Sequence, residues 1–320
     1  MTRTLTLIAI VIFGPLTHYA PAATAADHDA QKAVLVTGSS SGIGLKITET
    51  LAANGFYVYA GGRKAADLER LDAMDNVSSV RLDVTVQDEI DAAVQFVKDK
   101  GRGLYGVVNN AGVGAISPLT SGPESDMDFV FDVNVYGPYR VNKAFLPLLE
   151  ESKGRTTTIG SISGIFGTSG IYSMSKMAVE AYTDSLAREI EGNGVHVSIV
   201  EPGGFKSNIG LSRAARALAA ADRGEIELTD KQRTRYENEE ARRADRKDPD
   251  EVADAVLDLL TADNPKRRYM VTPNERQAHG TVKAAMRRVV QINHDQPYAY
   301  DREGLIDVLD ELLAETSKEQ

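Results

Sequence analysis

Two side chains in the middle of the sequence have types and a spacing suited to proton transfer. Tyr172 and Lys176 stand four positions apart in a segment whose pattern predicts a helix over residues 172–191, so they share one helix face. A cation beside a phenol favours the ionised form and lowers the phenol pKa from about 10. Tyr172 is therefore a candidate general acid and base, although this spacing alone is common by chance and usually structural.

A glycine-rich turn near the start of the chain predicts a site for a pyrophosphate. It follows a predicted strand over residues 33–37 and leads into a predicted helix. The residues assigned to the cofactor are Gly38, Ser40, Ser41, Gly42, Ile43 and Gly44. Glycines let the backbone approach a phosphate closely, and the helix amino terminus offers free N–H groups. The spacing is G-x-x-x-G-x-G rather than G-x-x-x-x-G-K-[ST], which disfavours a P-loop kinase or GTPase.

The end of the second predicted strand, residues 57–60, indicates which dinucleotide binds. Two glycines and then Arg63 and Lys64 follow it, with no carboxylate. An acidic residue there would bind the ribose 2′-hydroxyl of NAD, whereas an arginine accepts the 2′-phosphate of NADP. The sequence therefore favours NADP(H) over NAD(H). The alternative is that the two cations belong to a solvated loop.

Short apolar runs alternate with helical patterns along the chain. Predicted strands cover residues 33–37, 57–60, 79–82, 106–109, 156–160, 195–200 and 269–272. Helical patterns follow Gly42 and cover residues 88–98, 127–150, 172–191 and 250–260. This alternation predicts an α/β fold with a single doubly wound parallel sheet of about seven strands and helices on both faces.

Together these motifs resemble the short-chain dehydrogenase/reductase family in its single-domain Rossmann form. The resemblance covers residues 32–272. It rests on the glycine turn, Asn109-Asn110-Ala111-Gly112, Asn134, Gly160-Ser161, the pair Tyr172 and Lys176, and Pro202-Gly203. Less specifically, the sequence VEPGG, Arg63 and Arg268-Tyr269 resemble the branch that holds 17-beta-hydroxysteroid and retinol dehydrogenases.

The resemblance implies a role for each matching residue. Tyr172 would be the general acid and base, Lys176 would bind the nicotinamide ribose and lower the Tyr172 pKa, and Ser161 would hydrogen-bond the substrate oxygen. Asn134 would hold a water molecule that links Lys176 to solvent. The remaining cofactor contacts would be Asp83 and Val84 near the adenine, Asn110, Ala111 and Gly112 on the cleft floor, Pro202, Gly203, and Ser207 at the carboxamide.

One departure from the family concerns the catalytic serine. Ser161 precedes Tyr172 by 11 residues, two fewer than the family's usual spacing, so the intervening loop is trimmed. Ser163 is a rival for the serine role. Ser161 is preferred because Gly160-Ser161 directly follows a predicted strand.

The resulting hypothesis is an NADP(H)-dependent oxidoreductase that transfers hydride between nicotinamide and a small-molecule secondary alcohol or ketone. The substrate is expected to be lipophilic, resembling a steroid or retinoid. The alternatives are a non-catalytic dinucleotide-binding redox sensor and an epimerase or dehydratase on the same fold. The expected pocket walls are residues 114–120, 163–171 and 205–218, with residues 208–246 as a substrate lid.

Composition excludes several other classes of function. The formal net charge is −10, so a broad nucleic-acid-binding surface is not expected. The chain has no Cys, and its five His residues lack metal-ligand spacing, so no metal site is predicted.

The two ends of the chain carry separate predictions. Residues 1–25 combine a basic start, a short apolar run and an Ala-rich stretch, which indicates a signal peptide or membrane-targeting segment and an exported or periplasmic protein. The alternatives are a membrane-associated and a cytoplasmic protein. Residues 273–320 are expected to form a helical extension. Its apolar residues Ile306, Leu309, Leu312 and Leu313 would dock on the domain or on a second subunit of a homo-oligomer.

Overall fold

The computed structural model describes residues 31–319, so the predicted targeting segment at residues 1–25 lies outside the described residues. Its strands are β1 (Ala33–Val36), β2 (Tyr57–Gly62), β3 (Val77–Arg81), β4 (Gly106–Asn109), β5 (Arg155–Ile159), β6 (His196–Pro202) and β7 (Arg268–Val271). They form one sheet in the order β3-β2-β1-β4-β5-β6-β7. Every neighbouring pair is parallel.

Helices connect the strands and extend the chain beyond the sheet. They are α1 (Gly42–Ala53), α2 (Ala65–Asp72), α3 (Gln87–Asp99), α4 (Glu124–Phe131), α5 (Gly137–Ser152), α6 (Ile162–Phe166), α7 (Ile171–Glu189), α8 (Ile209–Asp222), α9 (Asp230–Glu237), α10 (Glu239–Ala244), α11 (Asp250–Thr261), α12 (Glu275–Asn293) and α13 (Arg302–Glu319). A π-helical turn, Asp132–Tyr136, joins α4 to α5. Among residues 31–319, no helix is long and apolar enough to cross a bilayer.

The first strand shows why the sequence buries both faces of the sheet. Ala33 and Leu35 belong to the core shared with α3, α5 and α7, whereas Val34 and Val36 belong to the core shared with α1 and α11. All four side chains are at most 1% exposed. Successive strand residues point to opposite faces, so a strand with helices on both sides is apolar at every position.

The predicted fold class is confirmed, with a doubly wound parallel sheet of seven strands and a helical C-terminal region. The prediction of one regular helix over residues 127–150 is wrong, because the π-helical turn interrupts it. In a continuous α-helix the Asn134 carbonyl would accept from the backbone N–H of residue 138. That residue is Pro138, which has no N–H to donate.

Candidate active site

A cleft of about 850 Å³ opens at the carboxyl ends of the central strands. Strands β1 and β4 are adjacent, and the later strands continue away from β4 in the direction opposite to β2 and β3. In open parallel sheets, ligands bind where the strand order reverses in this way. The volume also lies within the range of roughly 300–1,000 Å³ that is usual for ligand pockets.

The glycine turn after β1 has a shape that only glycines allow. Gly38 and Gly42 have φ values of +68° and +57°, which side chains rarely adopt. A Cβ on Gly44 would overlap the Asn110 amide and the Gly38 carbonyl oxygen. Asn110 holds the turn by donating from Nδ2 to the Thr37 carbonyl oxygen at 2.9 Å and to the Gly38 carbonyl oxygen at 3.1 Å. At the glycine turn, the cleft wall is therefore formed by backbone atoms.

Helix α1 presents its amino terminus to this turn. Its first residue is Gly42, its N-cap residue Ser41 makes no side-chain capping bond, and its first turn has no acidic residue. The N–H groups at such a terminus are suited to binding an anionic group. The turn and the helix thus fit the pyrophosphate of a dinucleotide.

The predicted cations after β2 stand at one end of the same cleft. Arg63 is exposed, and its Nη1 lies 3.4 Å from Asp83 Oδ2. Burial raises the Asp83 pKa, but hydrogen bonds from Thr85 and the charge of Arg63 outweigh it and hold the pKa below its usual value. Arg63 and Lys64 therefore place positive charge where an adenosine ribose would lie.

Most of the predicted site residues line this one cleft. Besides Tyr172 and Lys176 they are Gly38, Ser40, Ser41, Gly42, Ile43, Gly44, Arg63, Asp83, Val84, Asn110, Ala111, Gly112, Ser161, Pro202, Gly203 and Ser207. Ser207 lies beside the glycine turn, since a Cβ on Gly42 would be 3.2 Å from the Ser207 Cα. Ser163, the rival serine, also lines the cleft.

Ser161 and Tyr172 meet at the opposite end of the cleft from Arg63. Ser161 caps α6, and its Oγ accepts a hydrogen bond from the Ser163 N–H at 3.1 Å. Burial raises the Tyr172 pKa above its usual value of 10, while interaction with the Ser161 hydroxyl and the charge of Arg213 act to lower it. Ser161 is thus the serine that acts on the phenol, and Ser163 binds Ser161 through its backbone.

Lys176 lies one helical turn beyond Tyr172 and is only 5% exposed. Its Nζ donates to the Ile159 carbonyl oxygen at 2.7 Å and lies 5.8 Å from the centre of the Tyr172 ring. Burial lowers the Lys176 pKa to about 8, against an opposing effect of Glu180. Burial raises the Tyr172 pKa, and the effects that oppose burial come from Ser161 and Arg213 rather than from Lys176, contrary to the prediction.

Asn134 does not line the cleft itself but supports Val113, which does. Its side chain pairs with the backbone of Val113, accepting from the Val113 N–H at 2.8 Å and donating to the Val113 carbonyl oxygen at 3.0 Å. Asn134 Nδ2 also donates to Ser175 Oγ at 3.0 Å. A Cβ on Gly112 would lie 3.4 Å from Asn134 Oδ1 and 3.8 Å from Lys176 Nζ, so Asn134 is close to the lysine head group.

A model of the family described as "short chain dehydrogenase" matches residues 32–217, more than half of the chain. The chain belongs to the short-chain dehydrogenase family. It is an oxidoreductase that acts on CH–OH groups.

Curated relatives of this dehydrogenase include enzymes with different substrates. The mitochondrial D-beta-hydroxybutyrate dehydrogenase of Mus musculus is 32% identical over 77% of this chain and 78% of its own length. Retinol dehydrogenase 16 of Mus musculus is 34% identical over 82% of this chain and 87% of its own length.

Solved structures of short-chain dehydrogenases share the fold. One from Burkholderia phymatum, in complex with NAD, has a TM-score of 0.70 at 24% identity and covers 85% of this chain and 99% of its own. Another from Burkholderia cenocepacia, in complex with NADP, has a TM-score of 0.62 at 22% identity and covers 83% of this chain and 98% of its own.

Several residues at the cleft of this dehydrogenase were not singled out individually from the sequence, although the predicted lid, residues 208–246, contains five of them. They are Phe129, Arg213, Arg216, Arg235, Glu239, Arg246 and Gln277. Gln277, at the start of α12, accepts from the Gly204 N–H through Oε1 at 2.8 Å. The C-terminal region therefore reaches the cleft. Its sequence has no motif that would have indicated this, because the contact depends on where α12 packs.

Two carboxylates lie close together one helical turn beyond Lys176: Glu180 on α7, which is partly buried, and Glu201 on β6, which is buried. Glu180 forms an ion pair with Arg268, whose Nη1 is also 3.6 Å from Glu201 Oε1. Burial and the nearby Glu201 carboxyl raise the Glu180 pKa to about 8, and Arg268 only partly opposes this. Tyr172, Lys176 and Glu180 thus form a row of titratable groups on one helix face.

Proposed function

We propose that this enzyme is an NADP(H)-preferring dehydrogenase or reductase of a secondary alcohol or ketone with an apolar body. One observation carries the proposal. Ser161, Tyr172 and Lys176 meet at one end of a cleft whose other wall is the glycine turn and the amino terminus of α1. Proton-transfer groups and a pyrophosphate-binding surface thus face a common space, as hydride transfer to a carbonyl requires.

The side chains of the cleft suit proton transfer in the reducing direction. The bound nicotinamide supplies or accepts the hydride. Because the Tyr172 pKa is raised, its phenol carries a proton at neutral pH and can donate it to a carbonyl oxygen. Ser161, which interacts with the same phenol, is placed to donate a second hydrogen bond to that oxygen. In oxidation, Tyr172 would accept the proton from the alcohol.

Lys176 and Asn134 assist this proton transfer by Tyr172. A protonated Lys176 can bind ribose hydroxyls and stabilise negative charge near Tyr172. Asn134 fixes the strand-end segment at Val113 and lies close to Lys176, which supports its proposed part in a proton relay.

The NADP(H) preference is supported by the charges after β2. Arg63 and Lys64 line the cleft together with two acidic side chains that already have partners. Asp83 is engaged by Thr85 and Arg63, and Asp67 pairs with Arg70. An exposed arginine can swing to a 2′-phosphate, whereas no carboxylate on β2 faces a 2′-hydroxyl. The apolar substrate body is supported by Phe129, Ile162 and Phe166, which line the catalytic end.

The test is a cofactor-consumption screen with purified enzyme. We expect NADPH to be oxidised in the presence of ketones with an apolar body, and NADH to be used less well. Arg63→Gln should reduce the ratio of NADPH to NADH affinity by about tenfold, since an exposed charge contributes modestly, while NADH affinity itself stays the same. Equal use of both cofactors by the unaltered enzyme would contradict the preference.

A further inference from the structure

The segment over the cleft is rich in arginine, and most of its arginines have a carboxylate partner. The pairs are Arg216 with Asp126 at 2.8 Å, Arg223 with Glu225 at 2.6 Å, Arg233 with Asp222 at 3.2 Å, Arg242 with Glu239 at 3.3 Å, Arg243 with Glu240 at 3.3 Å and Arg246 with Glu239 at 3.0 Å. These cations are neutralised within the protein.

The structure describes residues 208–246 in full, and in this segment two arginines, Arg213 and Arg235, have no carboxylate partner. Both line the cleft. Neither lies within ion-pair distance of a carboxylate. The Arg213 Nε is buried and has no hydrogen-bond partner. Its guanidinium lies over the ring of Tyr236, with the central carbon 5.7 Å from the ring centre. The two unpaired arginines of this segment therefore both line the cleft.

Arg213 stands at the catalytic end rather than the adenosine end. Its aliphatic part crosses Gly114, where a Cβ would lie 3.3 Å from the Arg213 Cδ. Its positive charge acts to lower the pKa of the Tyr172 phenol. The cations that face the adenosine end, Arg63 and Lys64, come from a different part of the chain.

A buried N–H without a partner is costly, and an arginine placed beside a reacting centre is suited to a planar anion. The guanidinium fork matches a carboxylate in geometry and in charge. The neighbouring walls, Phe129 and Phe166, offer apolar surface to the rest of a molecule held there. An anionic head and an apolar body thus both have a place near Tyr172.

We propose that the substrate is an oxo acid or hydroxy acid with an apolar chain, and that Arg213 binds its carboxylate while Tyr172 acts on its carbonyl or hydroxyl. This inference rests on the proposed function. Reduction would transfer hydride from the nicotinamide to the carbonyl carbon and the phenol proton to the oxygen, which gives the hydroxy acid. Arg235, at the exposed edge of the cleft, would attract the anion during entry.

Matched pairs of substrates test the proposal in the unaltered enzyme. Each pair is an oxo acid and its methyl ester, and the two members differ in charge but scarcely in shape. Suitable acids are 3-, 4- and 5-oxooctanoate. We expect kcat/KM with NADPH to be about 10- to 100-fold higher for at least one acid than for its ester. Equal or better turnover of every ester would overturn the carboxylate assignment and leave the proposed dehydrogenase activity standing.

Variants test whether Arg213 causes the preference for the acid over the ester. Arg213→Met should lower kcat/KM about 10- to 100-fold more for the acid than for its ester, which removes the preference for the acid. Arg233→Met is the matched control, since it deletes the same charge from α9 away from the cleft and should keep the preference. Arg213→Lys, which keeps the charge, should retain part of it and provides a second test if the methionine variant folds poorly.

Two further outcomes oppose the proposal and differ from each other. If Arg213→Met weakens NADPH binding and slows acid and ester equally, Arg213 serves the cofactor rather than the substrate. If the unaltered enzyme turns over neither acids, esters nor neutral ketones with either cofactor, the proposed function fails and the inference fails with it.

Discussion

The Tyr172 hydroxyl is the group whose removal should affect chemistry alone. We expect Tyr172→Phe to lower kcat by about 10²- to 10⁴-fold, the usual contribution of general acid–base catalysis. The ring remains in place, so the melting temperature and the dissociation constant for NADPH should stay near those of the unaltered enzyme. Steady-state kinetics and fluorescence titration measure these quantities. Near-normal turnover in the variant would show that another group moves the proton.

The Lys176 ammonium predicts a pH limit on the reaction. Burial lowers its pKa to about 8, so the positive charge is present below pH 8 and is lost as the pH rises through that value. We expect kcat/KM for carbonyl reduction to fall above about pH 8. Lys176→Met should be slow at every pH and should lack this limb of the profile. A flat profile between pH 7 and 10 in the unaltered enzyme would contradict the assignment.

At the residue scale, the sequence identifies the residues whose spacing is local. Tyr172 and Lys176 share a helix face, and the glycine turn is contiguous, so both could be located without coordinates. Arg213 could not be singled out, because the sequence around it contains many arginines. Only the tertiary contacts show that its neighbours are paired with carboxylates and that it is not.

At the element scale, α8, α9 and α10 should behave as a lid over the cleft. Helix α8 buries a few small residues and α10 buries Glu239, whereas α9 buries none of its residues and its ion pair with α8 is exposed. This segment therefore has low local stability at α9. We expect its amides to gain hydrogen-exchange protection when cofactor and substrate bind together. The amides of α11, which lies against the sheet core, should not change and serve as the control. Strong, ligand-independent protection of α8, α9 and α10 would indicate a rigid structural role.

Elements were predictable where the hydrophobic pattern was strong. The strands contain runs of Val, Ile, Thr and Tyr and were located to within two residues. The break between α4 and α5 was missed because residues 127–150 keep a helical pattern throughout. The π-helical turn precedes Pro138, which has no N–H, and it places the Asn134 side chain against the distant Val113. Helix α6 is only five residues long, too short for a periodic pattern to be detected.

At the scale of the whole molecule, Glu180 should make stability depend on pH. Its carboxyl has a pKa of about 8 in the folded protein and an ordinary value of 4.5. Between those values the folded state keeps a proton that the unfolded state has released, so the free energy of unfolding should fall as the pH rises. Urea titrations at pH 5, 6.5 and 8 measure this.

Two variants separate Glu180 from the other carboxyls. Glu180→Gln, which cannot ionise, should flatten this part of the stability profile. Glu69→Gln, an exposed position on α2, should leave the profile unchanged. Parallel profiles for Glu180→Gln and the unaltered protein would exclude Glu180 as the source.

Export is a prediction about residues 1–25, outside the described part of the chain. Their order of charge, apolar run and small residues is that of a signal-peptidase substrate. Amino-terminal sequencing after cell fractionation should find a mature start near Ala26 in the exported fraction. An intact Met1 in the membrane fraction would indicate an anchor, and an intact Met1 in the cytosol would reject export.

The expected homo-oligomer also stays a prediction, which analytical sedimentation of the purified protein would test.

The order of the strands bears on how the chain acquires its shape during synthesis. From β5 onward, each new strand pairs with the strand made immediately before it, so the sheet can grow at one edge as the chain leaves the ribosome. The half of the sheet that carries the glycine turn, β1 to β4, is made first, and Ser161, Tyr172 and Lys176 follow. Gln277 comes last and bonds to Gly204 only when α12 docks. An unfinished chain thus lacks the final wall of its own cleft.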